Sequence, residues 1–211
     1  MKIEKFTFGP FQENTYVLYD ETLECVIIDP GCFDASEQIR LDHFITTKNL
    51  KPVRLLNTHC HLDHISGNLF VYEKYKLKPE LHESEIPILN MQERSSMMYG
   101  LPFEKSPEPE KFLQEGSQIK FGVTSIEVIF TPGHSPGHVV FYENTTKSLI
   151  GGDVLFYNSI GRTDLPMGNH DVLISSIKTK LFPLKDDVMV YSGHGPETTI
   201  GYEKKTNPFL V

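Results

Sequence analysis

Val53-Arg54-Leu55-Leu56-Asn57-Thr58-His59-Cys60-His61-Leu62-Asp63-His64 is the stretch on which the reading of this chain turns. Val53 to Leu56 is a short apolar run that fits a buried strand. The next residues bring four ligand-type side chains within six positions. In an extended segment, residues i and i+2 point the same way, so His59 and His61 can present imidazoles to one ion. Asp63 and His64 lie where the chain turns towards a helix and can address a second point. Imidazole nitrogen and carboxylate oxygen suit Zn, Fe or Mn. A lone histidine is usually a surface or core residue; this density is different.

Working outward, three further positions have the same character. His134 sits in Thr131-Pro-Gly-His-Ser-Pro-Gly137, after the apolar run Ile126 to Phe130. Asp153 follows Ser148-Leu-Ile-Gly-Gly, and His194 follows Val188-Met-Val-Tyr-Ser-Gly. Each marks a predicted strand end, flanked by glycine that lets the backbone turn sharply and approach a site closely. Strand ends feeding loops are where α/β folds place their chemistry.

The order His-x-His-x-Asp-His, then Gly-His-Ser-Pro-Gly, Gly-Gly-Asp and Ser-Gly-His-Gly-Pro resembles the metallo-β-lactamase superfamily, and within it the glyoxalase II-like hydrolases. The resemblance spans nearly the whole chain. It implies an α/β fold, a four-layer αββα sandwich of two mixed sheets flanked by helices, as a single domain over 1–211. It implies His59, His61 and His134 on one divalent metal ion, and Asp63, His64 and His194 on a second, with Asp153 bridging. Zinc is the expected metal, with iron and manganese as alternatives. The implied chemistry is thioester hydrolysis, on a substrate such as S-lactoylglutathione, by a metal-bridging hydroxide. Asp63 is then both a ligand and the catalytic residue that orients the hydroxide. A thiolate departs without a strong general acid, so this reaction asks least of the surrounding protein.

The stretch Ser159-Ile-Gly-Arg-Thr-Asp-Leu-Pro166 follows Asp153 closely. By resemblance, Arg162 is a substrate-binding residue, a bidentate anchor for a glutathione carboxylate. Its structural alternative is an ion pair with Asp164. The family's aromatic contact two residues beyond the basic position is replaced here by Asp164, and the chain ends soon after His194 without the helical domain of typical glyoxalase II enzymes. Asp29, in Asp-Pro-Gly, resembles a turn common in the superfamily and is expected to support the site rather than ligate. Cys60 is expected to be a buried thiol and His138 a structural residue. His43, His82 and His170 lack a ligand-like context.

The rest of the sequence bounds these readings. A chain of 211 residues suffices for one well-buried domain. The net charge of −8, without basic runs, disfavours nucleic acid and anionic membranes as partners. No window reaches the roughly 18 apolar residues of a membrane helix, and the N-terminus lacks a signal-peptide pattern, so a cytoplasmic enzyme with a small-molecule partner is expected. Three widely spaced cysteines suggest neither a disulfide framework nor a thiolate zinc site.

Strands are expected at 3–8, 14–19, 24–29, 53–56, 118–121, 124–130, 138–143, 148–152 and 187–191. A helix capped by Ser36 is expected to run to about Leu50, with Ile39, Phe44 and Ile45 on one face, and further helices are expected at 67–75, 85–91 and 170–181. Residues 94–111 read as a long loop, a candidate lid or substrate wall. Two rival functions remain. One is a persulfide dioxygenase holding a single iron through His59, His134 and Asp153. The other is a non-catalytic binding protein on the same scaffold, against which stand the seven filled ligand positions.

Overall fold

A computed structural model describes residues 1–211. The chain divides into two compact units, the first formed by 1–112 and 120–125, the second by 113–119 and 126–211.

The first unit contains β1 (Lys2–Phe8), β2 (Glu13–Tyr19), β3 (Glu24–Ile28), α1 (Ala35–Thr47), β4 (Lys51–Leu56), α2 (Leu62–Ile65), α3 (Asn68–Tyr75), β5 (Pro79–Leu81), α4 (Ile86–Tyr99) and β6 (Lys111–Phe112). Its sheet runs β1-β2-β3-β4-β5-β6. The first three strands are antiparallel neighbours, and β3 to β6 pair in parallel. Alternation on β1 buries Phe6 and Phe8, whose rings stack at 5.5 Å. They join Val17, Ile27 and Leu55 in a core covered by Leu41 and Ile45 of α1.

The second unit contains half of β7 (Gln118–Phe121) and most of β8 (Thr124–Phe130), then β9 (Val139–Glu143), β10 (Ser148–Gly152), β11 (Leu155–Phe156), β12 (Ser159–Ile160), α5 (His170–Ser176), β13 (Met189–Ser192), β14 (Thr198–Thr199) and α6 (Ile200–Thr206). Its sheet runs β14-β13-β10-β9-β8-β7, with β10 and β13 parallel. Leu149, Val190, Leu173 and Ile177 belong to its core. No helix is long and apolar enough to cross a membrane.

Several expectations need correcting. The cap of α1 is Asp34, not Ser36: its carboxylate accepts hydrogen bonds from the Ser36 and Glu37 amides. Ile39 is exposed, and the inner face of α1 is carried by Leu41 and Ile45, one turn apart. The helix expected at 85–91 runs on to Tyr99 and ends at Gly100 with φ +66°, so the first part of the 94–111 stretch is helix. Its buried face continues from Ile88 through Gln92 and Ser96 at four-residue spacing, and a polar stripe gives no hydrophobic period to read. The helix expected to 181 stops as an α-helix at Ser176 and continues as a π-helical turn over Ile177–Leu181. The short β5, β6, β11, β12 and β14 and the helix α6 carry too few residues for a period to show.

Asp20, at the end of β2, ties a remote turn to this sheet. Its carboxylate accepts hydrogen bonds from Thr22 N and Oγ1 at 2.9 and 2.6 Å and from Val123 N and Thr124 N at 2.8 and 3.1 Å. Burial pushes its pKa up, but the hydrogen bonds from Thr22, Val123 and Thr124 outweigh it and lower the value to about 2. A carboxyl with a depressed folded pKa stabilises above its unfolded value and loses that contribution as pH falls through the folded one. Asp20→Ala is therefore expected to destabilise the protein by about 2 kcal/mol at pH 7. Urea unfolding of both proteins should show the difference narrowing from about pH 4 down to pH 2. A gap unchanged across that range would contradict the assignment.

Candidate metal centre

In the first unit, β4 delivers the motif directly. His61 is extended, with φ −67° and ψ 154°, and precedes α2, so Asp63 and His64 fall in its first turn. The His59 and His61 ring centroids lie 4.7 Å apart, and those of His59 and His64 lie 4.1 Å apart. His64 Nε2 is 3.9 Å from Asp63 Oδ2. His59 and His64 are fully buried, whereas Asp63 is partly exposed. Cys60 faces away as expected: its thiol is buried and pushed well above its usual pKa by burial, and its amide donates to Glu85 Oε2 at 2.8 Å.

In the second unit, Asp153 and the two predicted histidines come together. His134 Nε2 and His194 Nε2 each lie 3.5 Å from the same oxygen, Asp153 Oδ2. The His134 Nδ1–H donates to the Arg162 carbonyl at 2.7 Å, which leaves Nε2 with its lone pair. His138 is no part of this group. Its Nε2 accepts the Asp153 amide hydrogen at 3.0 Å, so it holds the backbone of the Asp153 turn. Gly133 and Gly161 permit the close packing here. Gly133 has φ +138°, and a Cβ on Gly161 would stand 1.9 Å from the Asp153 carbonyl oxygen.

These distances fit a metal. Two ligands at roughly 2.0–2.2 Å from one tetrahedral ion lie about 3.4 Å apart. The 3.5 Å separations around Asp153 Oδ2 match that spacing and exceed a normal His–carboxylate hydrogen bond. The donor set, imidazole nitrogen with carboxylate oxygen, suits zinc, iron and manganese.

Arg162 is exposed and forms a bidentate pair with Asp164: Nε to Oδ1 and Nη2 to Oδ2, both at 2.7 Å. The ion-pair alternative for Arg162 is thus realised, and the guanidinium holds the Asp164 carboxyl down to about 2. His43 and His170 are exposed, and His82 caps the turn before α4. One supporting residue was underread in the sequence: Thr58 contacts the His59 ring at 3.0 Å, a role that only the fold reveals.

The family model for the metallo-beta-lactamase superfamily matches residues 8–194. Hydroxyacylglutathione hydrolase GloC of Haemophilus influenzae is 39% identical, over 100% of this chain and 98% of its own. The probable metallo-hydrolase YqgX of Bacillus subtilis is 40% identical over the same shares. Among solved structures, the BLEG-1 B3 metallo-beta-lactamase is 38% identical with a TM-score of 0.90, covering both chains fully. TTHA1623 in a di-iron-bound form is also 38% identical, with a TM-score of 0.89 over 98% of this chain and all of that one. These structures share the α/β arrangement of two large mixed sheets flanked by helices. With a family match across most of its length and relatives near 40% identity from end to end, the chain belongs to the metallo-beta-lactamase superfamily and is one of its metallo-hydrolases.

Proposed function

We propose that the protein hydrolyses a thioester of a small thiol such as glutathione, with S-lactoylglutathione as the reference substrate, using two divalent metal ions. The observation that carries this reading is one carboxylate oxygen, Asp153 Oδ2, with two histidine nitrogens at ligand–ligand spacing, in a chain related end to end to a hydroxyacylglutathione hydrolase. In this proposal His59, His61 and His134 hold one ion, Asp63, His64 and His194 hold the other, and Asp153 is shared. Zinc is the proposed metal. The match of one family model to residues 8–194 supports a single domain over 1–211. The acidic charge supports a small-molecule partner rather than nucleic acid, and the cytoplasm is the proposed compartment.

When bound, the ions supply a water of lowered pKa and polarise the scissile carbonyl. The protein's own part is to orient. Asp63 accepts a hydrogen bond from the attacking water and aims it. The Arg162 carbonyl keeps the His134 proton on Nδ1. A recess beside Asp63, lined by Gly9, Pro10, Phe11, Leu62 and Leu101, offers an apolar wall to the substrate. Phe11 and Tyr99 meet edge to face at 5.2 Å, so the end of α4 and the coil after it build part of that wall.

The Arg162 guanidinium binds the thiol carrier's carboxylate in competition with Asp164. Arg162→Ala is expected to raise KM for S-lactoylglutathione about tenfold with kcat within about twofold, and Asp164→Ala to lower KM. Steady-state kinetics on both variants checks this, and an unchanged KM in both removes Arg162 from substrate binding. A second reading, β-lactam hydrolysis, draws on the 38% identity to BLEG-1. Turnover of a β-lactam with no turnover of any thioester would replace the first reading by the second.

A further inference from the structure

The recess beside Asp63 lies wholly in the first unit, walled by Pro10, Phe11, Phe33, Leu62 and Leu101. Phe11 is 37% exposed, and its edge-to-face partner Tyr99 is 51% exposed. Aromatic surface is thus left in water next to the carboxylate that the proposed mechanism uses, and uncovered apolar surface at such a place marks a binding wall.

Local devices hold this wall in place. Glu37, in the first turn of α1, accepts from two lining residues at once: Gly9 N donates to its Oε1 and Phe33 N to its Oε2, each at 2.7 Å. The β1–β2 turn is thereby tied to the chain that leaves β3. That turn also closes on itself, with Gln12 N donating to the Gly9 carbonyl at 3.2 Å and left-handed backbone at both residues. At the end of α4, Leu101 N donates to the Ser96 carbonyl at 2.9 Å and Gly100 N to the Met97 carbonyl at 3.2 Å. This pair of bonds reverses the chain after the helix and fixes Leu101 just beyond the glycine.

The lining chemistry selects what can enter. Its polar side chains are Asp63 and Ser66, and Ser66 gives its hydroxyl hydrogen to the Leu62 carbonyl at 2.6 Å. No lysine or arginine belongs to the lining, so a carboxylate placed there would lose water without gaining a side-chain partner. A thioester has a carrier end and an acyl end, and a carrier such as glutathione is charged. The recess suits the acyl end.

We propose that the recess receives the acyl group of the thioester and selects acyl groups with an aryl or branched-alkyl side chain. This rests on the thioesterase reading above and names the substrate class within it. The methyl group of lactoyl removes little of the wall from water. A phenyl ring removes far more and packs against the Phe11 ring.

S-Mandeloylglutathione differs from S-lactoylglutathione by a phenyl ring in place of the methyl group, so the pair isolates the recess. In metal-loaded wild type, kcat/KM for the mandeloyl ester should exceed that for the lactoyl ester by about tenfold or more. Phe11→Ala should lower this ratio by about fivefold or more, and Leu101→Ala by about threefold. A second readout needs neither metal nor turnover. Mandelamide, an uncharged mimic of the acyl end, should saturably shift the amide NMR signals of Gly9, Phe11, Phe33 and Leu101 in metal-stripped protein, and lactamide should not. A wild-type ratio of one or below overturns the proposal. So does a ratio unchanged in both variants, or a mandelamide titration that moves none of these amides. In each of these cases lactoyl turnover leaves the thioesterase reading standing. Saturable mandelamide shifts in a metal-loaded protein that turns over no thioester would instead overturn that reading and the acyl assignment with it.

Discussion

Asp63→Ala should reduce kcat for thioester hydrolysis by about 10³-fold or more, with the fold intact. The proposal gives this carboxylate two duties, as a metal ligand and as the group that aims the attacking water. Orienting and electrostatic groups at a reacting centre are each worth about 10²–10³ in kcat, and a lost ligand adds to that. The same position contributes little to folding. Asp63 lies in the first turn of a four-residue helix, its side chain is 19% exposed, and the apolar cores lie elsewhere. The metal-stripped variant should therefore melt within a few degrees of metal-stripped wild type, which separates lost chemistry from lost structure. Full thioesterase activity in this variant would refute the mechanism.

The candidate donors were legible in the sequence because they are few, chemically distinctive and attached to strand ends. Four of them lie within six residues, and β8, β10 and β13 each run into one of the others. Strand ends are easy to place when an apolar run stops at glycine, and the main strands of both sheets fell where such runs predicted. Elements held by polar contacts were not visible. The inner face of α4 includes Gln92 and Ser96, which pattern reading assigns to solvent. The β11–β12 hairpin and α6 are joined through Glu203, a buried carboxylate that accepts from Asn158 N and Asn207 Nδ2. Nothing in the order of residues announces that pairing. Arg162 shows another limit: a guanidinium two residues from a carboxylate can anchor a substrate or pair locally, and only the geometry shows that the local pair with Asp164 is formed. The link from Asp29 to His59 through Thr58 is hidden for a related reason. It depends on the left-handed turn at Asp29, which brings residues 29 positions apart into hydrogen-bond contact.

The second large effect concerns the metals themselves. Ligands that hold a metal only when folded convert binding energy into stability, by about 4 kcal/mol when the free ion stands at a thousand times its dissociation constant. Stripping the protein with a chelator should thus abolish hydrolysis and lower the melting temperature, and reloading should restore both together. The most direct measurement is elemental metal analysis of purified protein, titrated back from the stripped state while S-lactoylglutathione hydrolysis is followed. The account predicts two equivalents of divalent metal per chain, with activity rising as they are restored. A single equivalent of iron with oxygen uptake on a persulfide, or full thioester turnover by the metal-free protein, would contradict it.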